Sequence, residues 1–339
     1  MEEPSRVGFP RVVRAISIGP AAFKALRAGT EGQVHSVFER AFNILIEGEL
    51  VGIGCSDIFR SPINLITDIP PSESMPSLGI RRGMRVRRVG DRMRVGEVLE
   101  ISLEDVKLWQ PKTYAERCLS PELIKRNLEV VKQLVANKSK REGLGRLLPY
   151  VEEIVSGTLP EVSDSNQVIE TALPHLVKLV KSVRAGDMRG VEESAQRLVG
   201  LGSGLSPSAD DALAGFMAAN WWITHSLSGD FDRVKAMNEA ILGRVRVRKT
   251  TLISQQLLEH AANGEVNEAV EKLLESILGG TAVDVEMGLE RVLRIGETSG
   301  VDTVVGVLLG LNLGLSMYRC EQIMVSAGNS GHMPSLRGV

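Results

Sequence analysis

The period of the hydrophobic pattern changes near Pro111, and this change constrains the fold more than any other feature. Before it, apolar segments such as 44–53 and 84–95 are broken by Gly48 or by a Gly90-Asp91 turn, which is typical of strands and hairpins. After it, apolar residues recur at helical spacing almost to Tyr318. We therefore predict an α+β protein, in which a β-rich N-terminal domain is followed by a larger α-helical domain.

The predicted boundaries follow from this change. The β-rich domain spans residues 1–112, the helical domain spans 113–320, and a loose, glycine-containing tail occupies 321–339. One early helix is expected around Val34–Leu45, and residues 158–167 are the clearest linker. The helices predicted for the second domain are 121–137, 144–156, 168–185, 188–200, 207–223, 231–243, 251–262, 265–278, 284–296 and 300–317.

Charge and cysteine content limit the class of function. The 339 residues contain 40 Lys and Arg against 42 Asp and Glu, whereas nucleic-acid binders usually carry a basic excess. Three scattered cysteines, Cys55, Cys118 and Cys320, do not make a disulfide framework or a zinc site. The first ten residues lack the apolar core of a signal peptide, and the apolar stretch Thr303–Tyr318 is short of the ~20 residues of a membrane span. We expect a cytoplasmic protein that binds neither nucleic acid nor membrane.

The segment 200–223 (GLGSGLSPSADDALAGFMAANWWI) is the most informative. Its glycines precede a helix start, where free backbone N–H groups and the helix dipole together make an anion site. The residues predicted to bind an anion are Gly202, Ser203, Gly204, Ser206 and Ser208. An ordinary Ser-Pro helix cap is the alternative for the serines.

Two aspartates in this segment, Asp210 and Asp211, begin an otherwise apolar helix. A carboxylate on a buried helix has to be hydrogen-bonded, paired or metal-bound. The spacing Ser-x-x-Asp-x-x-x-Gly recurs at Ser299–Gly306, with Asp302 as its aspartate, although Ser-x-x-Asp also resembles a capping box. We expect the glycines to allow close helix packing and the two helix starts to face one pocket.

Asp210, Asp211 and Asp302 are thus the predicted catalytic residues. Asp211 and Asp302 are also candidates for holding a divalent cation, for which Mg²⁺ is the possible cofactor.

Cationic residues suggest a third part of the site. Arg248, Lys249, Thr251 and Ser254 lie at a predicted helix start, where arginine suits carboxylates and phosphates. A cationic surface strand with a threonine cap is the alternative. His35 and Ser299 complete the predicted binding residues, although a lone histidine is more often structural. The arginines of 81–94 are expected to form a solvated or edge-protecting face.

These residues together resemble the AllH-like family, long catalogued as a domain of unknown function. Four stretches carry the resemblance: VHSVFERAFNIL near residue 34, GLGSGLSPSADDALAG at 200, KTTLISQQLLEHAANGE at 249 and IGETSGVDTVVGVLLGL at 295. The second is the most specific. Here Ser206 stands where the family more often has threonine, and Ala209 stands where glycine is usual.

The resemblance implies a role in allantoin and purine degradation, as one subunit of an oxamate carbamoyltransferase that works with two other proteins. The implied substrates are carbamoyl phosphate and oxamate, or related small anions. A glycine-rich helix start would cradle the phosphate, and Arg248 and Lys249 would bind the carboxylate. The Ser-x-Arg-Thr signature of aspartate and ornithine carbamoyltransferases is missing, so their fold is not implied.

Two alternatives from other classes stay open. The glycine segment also resembles the phosphate loop of the galactokinase–homoserine kinase superfamily, which reads Gly-Leu-x-Ser-Ser-Ala, so an ATP-dependent small-molecule kinase is one of them. However, Pro207 interrupts the serine pair. The other is a non-catalytic subunit whose helices dock a partner.

Overall fold

The structure is a computed structural model that describes residues 10–115, 120–138, 143–163, 165–227, 229–247 and 250–329, with side chains omitted at 136–138 and 321–329. The chain forms two compact units. One comprises residues 1–112 with 265–271, and the other comprises 113–264 with 272–339.

The first unit is a β-barrel, which confirms the predicted β-rich N-terminal region. Its strands are β1 Arg11–Ile18, β2 Glu31–Val37, β3 Ala41–Ile46, β4 Glu49–Gly54, β5 Asn64–Thr67, β6 Arg85–Val89, β7 Arg92–Val95, β8 Leu99–Ser102 and β9 Lys107–Leu108. Eight strands follow the order β5-β4-β3-β2-β6-β7-β8-β1, and antiparallel pairing of β1 with β5 closes the ring. The short β9 adds to the end of β1. Apolar side chains from β1 through β8 share one core with helix α1, Pro20–Ala28.

Two local predictions in this unit have opposite outcomes. The hairpin around Gly90-Asp91 is confirmed, since β6 pairs with β7 and Gly90 has a φ of +58°. The helix predicted at 34–45 is wrong, because this segment is the β2–β3 hairpin. Alternate residues of β3 (Phe42, Ile44 and Ile46) are buried, so the period of two prevails over the helical spacing.

The second unit is helical, as predicted. Its helices are α2 Pro121–Lys138, a 3₁₀ helix Gly145–Tyr150, α3 Val151–Ser156, α4 Gln167–Ala185, α5 Met188–Leu198, α6 Ser208–Ser226, α7 Phe231–Val247, α8 Leu252–Ala261, α9 Glu268–Gly279 (which begins in the first unit), α10 Ala282–Val292 and α11 Ser299–Asn329.

Helix α11 continues to Asn329, beyond the predicted end at 317 and into the predicted loose tail, since no glycine or proline interrupts residues 315–327. Residues 330–339 lie outside the described part of the chain. The stretch Ser299–Cys320 is long and apolar enough to span a membrane, and 72% of its most apolar window is buried inside the structure.

Helices α6 and α11 pack side by side and run parallel. A Cβ on Gly306 would lie 1.9 Å from the carbonyl oxygen of Ala212, and a Cβ on Gly215 would lie 2.4 Å from that of Thr303. The two backbones therefore touch at the glycines of the repeated spacing, as glycine permits. Further along, Gly314 meets Ile223 in the same register. This packing brings the two helix starts together.

Candidate functional site

The loop before α6 is folded back over the helix start. Gly200, Gly202 and Gly204 have φ values of +75°, +119° and +94°, which only glycine adopts readily. The N–H of Ala209 donates to the carbonyl of Leu201 at 3.0 Å. Ser203 and Gly204 are exposed at the tip. We call residues 200–206 the glycine loop.

The alternative reading of Ser206 as a helix cap does not hold. Pro207 occupies the N-cap position of α6, and no side chain caps this helix. The Ser206 hydroxyl instead donates to Oδ1 of Asp211.

Asp210 holds the glycine loop in place. Its Oδ1 accepts from the N–H of Gly200 at 2.8 Å, and its Oδ2 accepts from the hydroxyl of Thr250. On the other side of the loop, the Thr251 hydroxyl donates to the carbonyl of Leu205 at 2.6 Å and caps α8 at Ser254. Both oxygens of Asp210 thus have donors, which favours a structural role. Thr250 was missed by sequence reasoning, because it differs from an ordinary helix-flanking threonine only through this tertiary contact.

The structure brings Asp211 and Asp302 together. Both are buried, with 6% and 0% of their surfaces exposed. Oδ1 of Asp302 accepts from the N–H of Leu144 at 2.6 Å, whereas Oδ1 of Asp211 accepts from Ser206. The Oδ2 atom of each carboxyl is buried without a hydrogen-bond partner. Buried polar atoms are normally hydrogen-bonded, so these two oxygens mark a place where a further polar group would be stabilised.

The pair has a local two-fold relation. The Ser299 hydroxyl, which begins α11, favours the charged form of Asp211 on α6, and the Ser208 hydroxyl, which begins α6, favours that of Asp302 on α11. The repeated Ser-x-x-Asp-x-x-x-Gly spacing therefore places the serine of each helix near the aspartate of the other helix.

The two carboxyls differ in acidity. Burial raises the pKa of Asp211 to about 8, with the charges of Asp302 and Asp210 adding to the rise and the hydroxyls of Ser206 and Ser299 opposing it. Burial also raises the pKa of Asp302, to about 6, and the N–H of Leu144 and the hydroxyls of Ser208 and Thr298 oppose this rise. Near neutral pH Asp211 is therefore the more protonated of the two carboxyls. Two neighbouring carboxyls with different pKa values are suited to act as a general acid and a general base.

Gly143 closes the site above Asp302. A Cβ at this position would lie 2.4 Å from Oδ1 of Asp302, and its φ of +57° also favours glycine. The side-chain amide of Asn166 donates to the Gly143 carbonyl at 3.1 Å. Sequence reasoning missed Gly143 and Leu144, since only the tertiary fold brings them to α11.

The remaining predicted binding residues do not all belong to the unit that holds the carboxyl pair. Ser254 is buried, and its hydroxyl lacks a hydrogen-bond partner. His35 lies on β2 of the first unit, with its Nδ1 3.3 Å from the Ser36 hydroxyl. Arg248 and Lys249 fall outside the described residues.

Two glutamates of the barrel form ion pairs with arginines of the segment 81–94. Glu31 pairs with Arg85 and Arg87, and Glu100 pairs with Arg92 and Arg94.

No group of three or more His, Cys, Asp or Glu side chains arranged to hold a metal occurs among the described residues. Asp211 and Asp302 alone would offer Mg²⁺ two carboxylates. Binding of this cation stays a prediction.

The fold and the site define a two-unit protein in which a barrel precedes a helical unit with a buried carboxyl pair. The family model for the oxamate carbamoyltransferase subunit AllH matches residues 198–311, from the glycine loop into α11. The model for the AllH family N-terminal domain matches residues 14–108, which form the barrel. The chain belongs to the AllH-like family, which confirms the resemblance seen in the sequence. No solved structure matches it.

Proposed function

We propose that this protein is the subunit that carries the carbamoyl-transfer site of an oxamate carbamoyltransferase-type enzyme, acting in the cytoplasm with partner subunits. The observation that supports this proposal most is the Asp211–Asp302 pair, whose unpartnered Oδ2 atoms lie at the starts of two parallel helices. The family model is itself named for a subunit of such an enzyme.

The reaction needs a base and a hydrogen-bond donor. The amide nitrogen of oxamate attacks the carbamoyl carbon of carbamoyl phosphate, so that a C–N bond forms, the C–O bond to phosphate breaks and one N–H proton is released. Asp302, with the lower pKa, is ionised at neutral pH and would take this proton. Asp211 is protonated and would donate a hydrogen bond to the carbamoyl oxygen as negative charge develops there.

The surroundings suit anionic substrates. The starts of α6 and α11 direct two helix dipoles at the pair, and the exposed tip of the glycine loop offers backbone N–H groups. Because both carboxyls are buried, the glycine loop has to move before a substrate reaches them. Its exposed tip and its three left-handed glycines suit such a movement.

The test is product formation by the assembled complex. The chain is produced with its partner subunits and given carbamoyl phosphate and oxamate, and oxalurate and phosphate are measured. We expect one phosphate per oxalurate, and a 10²–10⁴-fold loss of turnover in Asp302→Asn. The matched control is Asp232→Asn, which changes an exposed aspartate in the first turn of α7 and should leave turnover unchanged.

Other outcomes would contradict the proposal. Full turnover in Asp302→Asn would show that the carboxyl pair takes no part in the reaction and would favour a non-catalytic subunit. ATP-dependent phosphorylation of a substrate, without carbamoyl transfer, would favour the kinase alternative.

A further inference from the structure

A cleft beside the glycine loop carries two arginines that the mechanism above does not use. It has a volume of about 520 Å³ and is lined by residues of α4, α5 and α7 together with Leu201 of the loop. The lining residues are Thr171, Gln196, Arg197, Leu201, Arg244 and Val247. This volume falls within the range of small-ligand sites. We call it the Arg197 cleft.

The cleft carries positive charge. Arg197 is exposed, and none of the carboxylates in the described part of the chain forms an ion pair with it. Arg244 is two-thirds buried and pairs with Glu192 at 2.7 Å, which holds its guanidinium in place while leaving other N–H groups free to donate. Burial lowers the pKa of His175 on α4, and the positive charges of Arg197 and Lys178 lower it further.

The cleft borders the glycine loop, which is hydrogen-bonded to the start of α6. Leu201 forms part of its wall, and the carbonyl of Leu201 accepts from the N–H of Ala209, two residues before Asp211. The adjacent Gly200 is bonded to Asp210. One wall of the cleft is therefore part of the loop that is hydrogen-bonded to the first turn of α6, the turn that carries Asp211.

We propose that the Arg197 cleft binds the carboxylate of the carbamoyl acceptor, with Arg197 as the residue that selects it. A planar guanidinium donates two parallel hydrogen bonds to a carboxylate, whereas an ammonium acts as a point charge. Arg244, fixed by Glu192, contributes a second donor. This assignment rests on the proposed function for the identity of the acceptor, but anion binding by the cleft can be tested without turnover.

The experiment compares three variants with the wild-type chain by isothermal titration with oxamate and, in a separate arm, with inorganic phosphate. Arg197→Gln removes the charge, and Arg197→Lys keeps the charge but loses the planar fork. Arg189→Gln is the control, because Arg189 lies on the same helix, is 88% exposed at its side chain and is outside the cleft. The same titrations are repeated with the complex assembled from the partner subunits.

We expect oxamate affinity to fall about 10–100-fold in Arg197→Gln, to fall in Arg197→Lys as well, and to stay unchanged in Arg189→Gln. Phosphate affinity should change much less in Arg197→Lys. If Arg197→Gln weakens phosphate but not oxamate, the cleft serves the phosphate donor and our assignment of the acceptor is overturned. Equal oxamate binding in all variants, or no oxamate binding by either the chain or the complex, also overturns it.

The failure of this assignment can be told apart from failure of the proposed function. If oxamate binds in an Arg197-dependent manner but the complex forms no oxalurate, the proposed function fails and the cleft stands. If oxalurate forms and Arg197→Gln leaves the KM for oxamate unchanged, the cleft assignment fails and the proposed function stands.

Discussion

Two neighbouring substitutions on α6 should separate activity from stability. At neutral pH Asp211 is protonated, since its pKa is raised to about 8. Asparagine is then a neutral substitute of nearly the same volume that can still accept from Ser206. Since the unfolded chain ionises Asp211 at neutral pH and asparagine carries no such cost, we expect Asp211→Asn to keep or raise the free energy of unfolding. Turnover should fall 10²–10⁴-fold, because the acidic proton is lost.

Leu213→Ala should do the reverse. Leu213 is two residues further along α6, is 1% exposed and has no polar side-chain atom. Its truncation leaves a cavity between packed helices and should lower the free energy of unfolding by about 2–5 kcal/mol, with turnover per folded molecule nearly unchanged.

The assay pairs urea unfolding of the purified chain with oxalurate formation by the assembled complex. A complex that contains each variant should first be shown to assemble, so that loss of a partner is not mistaken for loss of chemistry. If Asp211→Asn unfolds as readily as Leu213→Ala and keeps full turnover, Asp211 is a structural helix-start residue and the assignment of the pair is wrong.

Three further predictions concern the same region. Thr250→Val removes the donor to Asp210 and should cost about 1–3 kcal/mol, with faster hydrogen exchange of the glycine loop amides as the measurement; unchanged exchange would contradict it. Gly306→Ala should strongly lower the free energy of unfolding, because its Cβ would lie 1.9 Å from a backbone oxygen. Gly243→Ala, in the interior of α7, meets nothing within 4 Å and should raise the free energy of unfolding by about 0.5–1 kcal/mol. Similar effects of the two substitutions on urea unfolding would refute the helix packing. Finally, because the folded state raises the pKa of Asp211, its contribution favours the fold below about pH 4 and is lost as the pH rises through about 8. The melting temperature of Asp211→Asn relative to the wild type should therefore increase from pH 5 to pH 8, and a constant difference would contradict the raised pKa.

Sequence reasoning could predict the features that depend on local pattern. The change of period near Pro111 separated strands from helices, and the Gly90-Asp91 turn identified its hairpin, since both signals lie within a few residues of their effect. The repeated Ser-x-x-Asp-x-x-x-Gly spacing indicated that two helices pack closely at their starts, and the structure places α6 and α11 side by side there. The shared pocket that it also predicted stays a prediction. The burial of two aspartates could be inferred because the residues that follow them are apolar.

The rest required tertiary structure. Closure of the barrel depends on pairing of β1 with β5, which are about 50 residues apart. Helical spacing at 34–45 was misleading, because the side chains of β3 alternate between the core and the outside. The N–H of Leu144 reaches Asp302 across 158 residues, and Arg197 becomes a candidate only where α5 lies beside α7.

The most direct test of the account is a titration of the Asp211 and Asp302 carboxyls by carbon NMR, with aspartate labelled at the carboxyl carbon. Asp211→Asn and Asp302→Asn assign the two signals. We predict one carboxyl that titrates near pH 8 and one near pH 6, and in Asp302→Asn a lower pKa for Asp211, because the charge of Asp302 raises it. Two carboxyls that titrate near pH 4, each unaffected by removal of the other, would contradict the buried, coupled carboxyl pair on which the proposed chemistry depends.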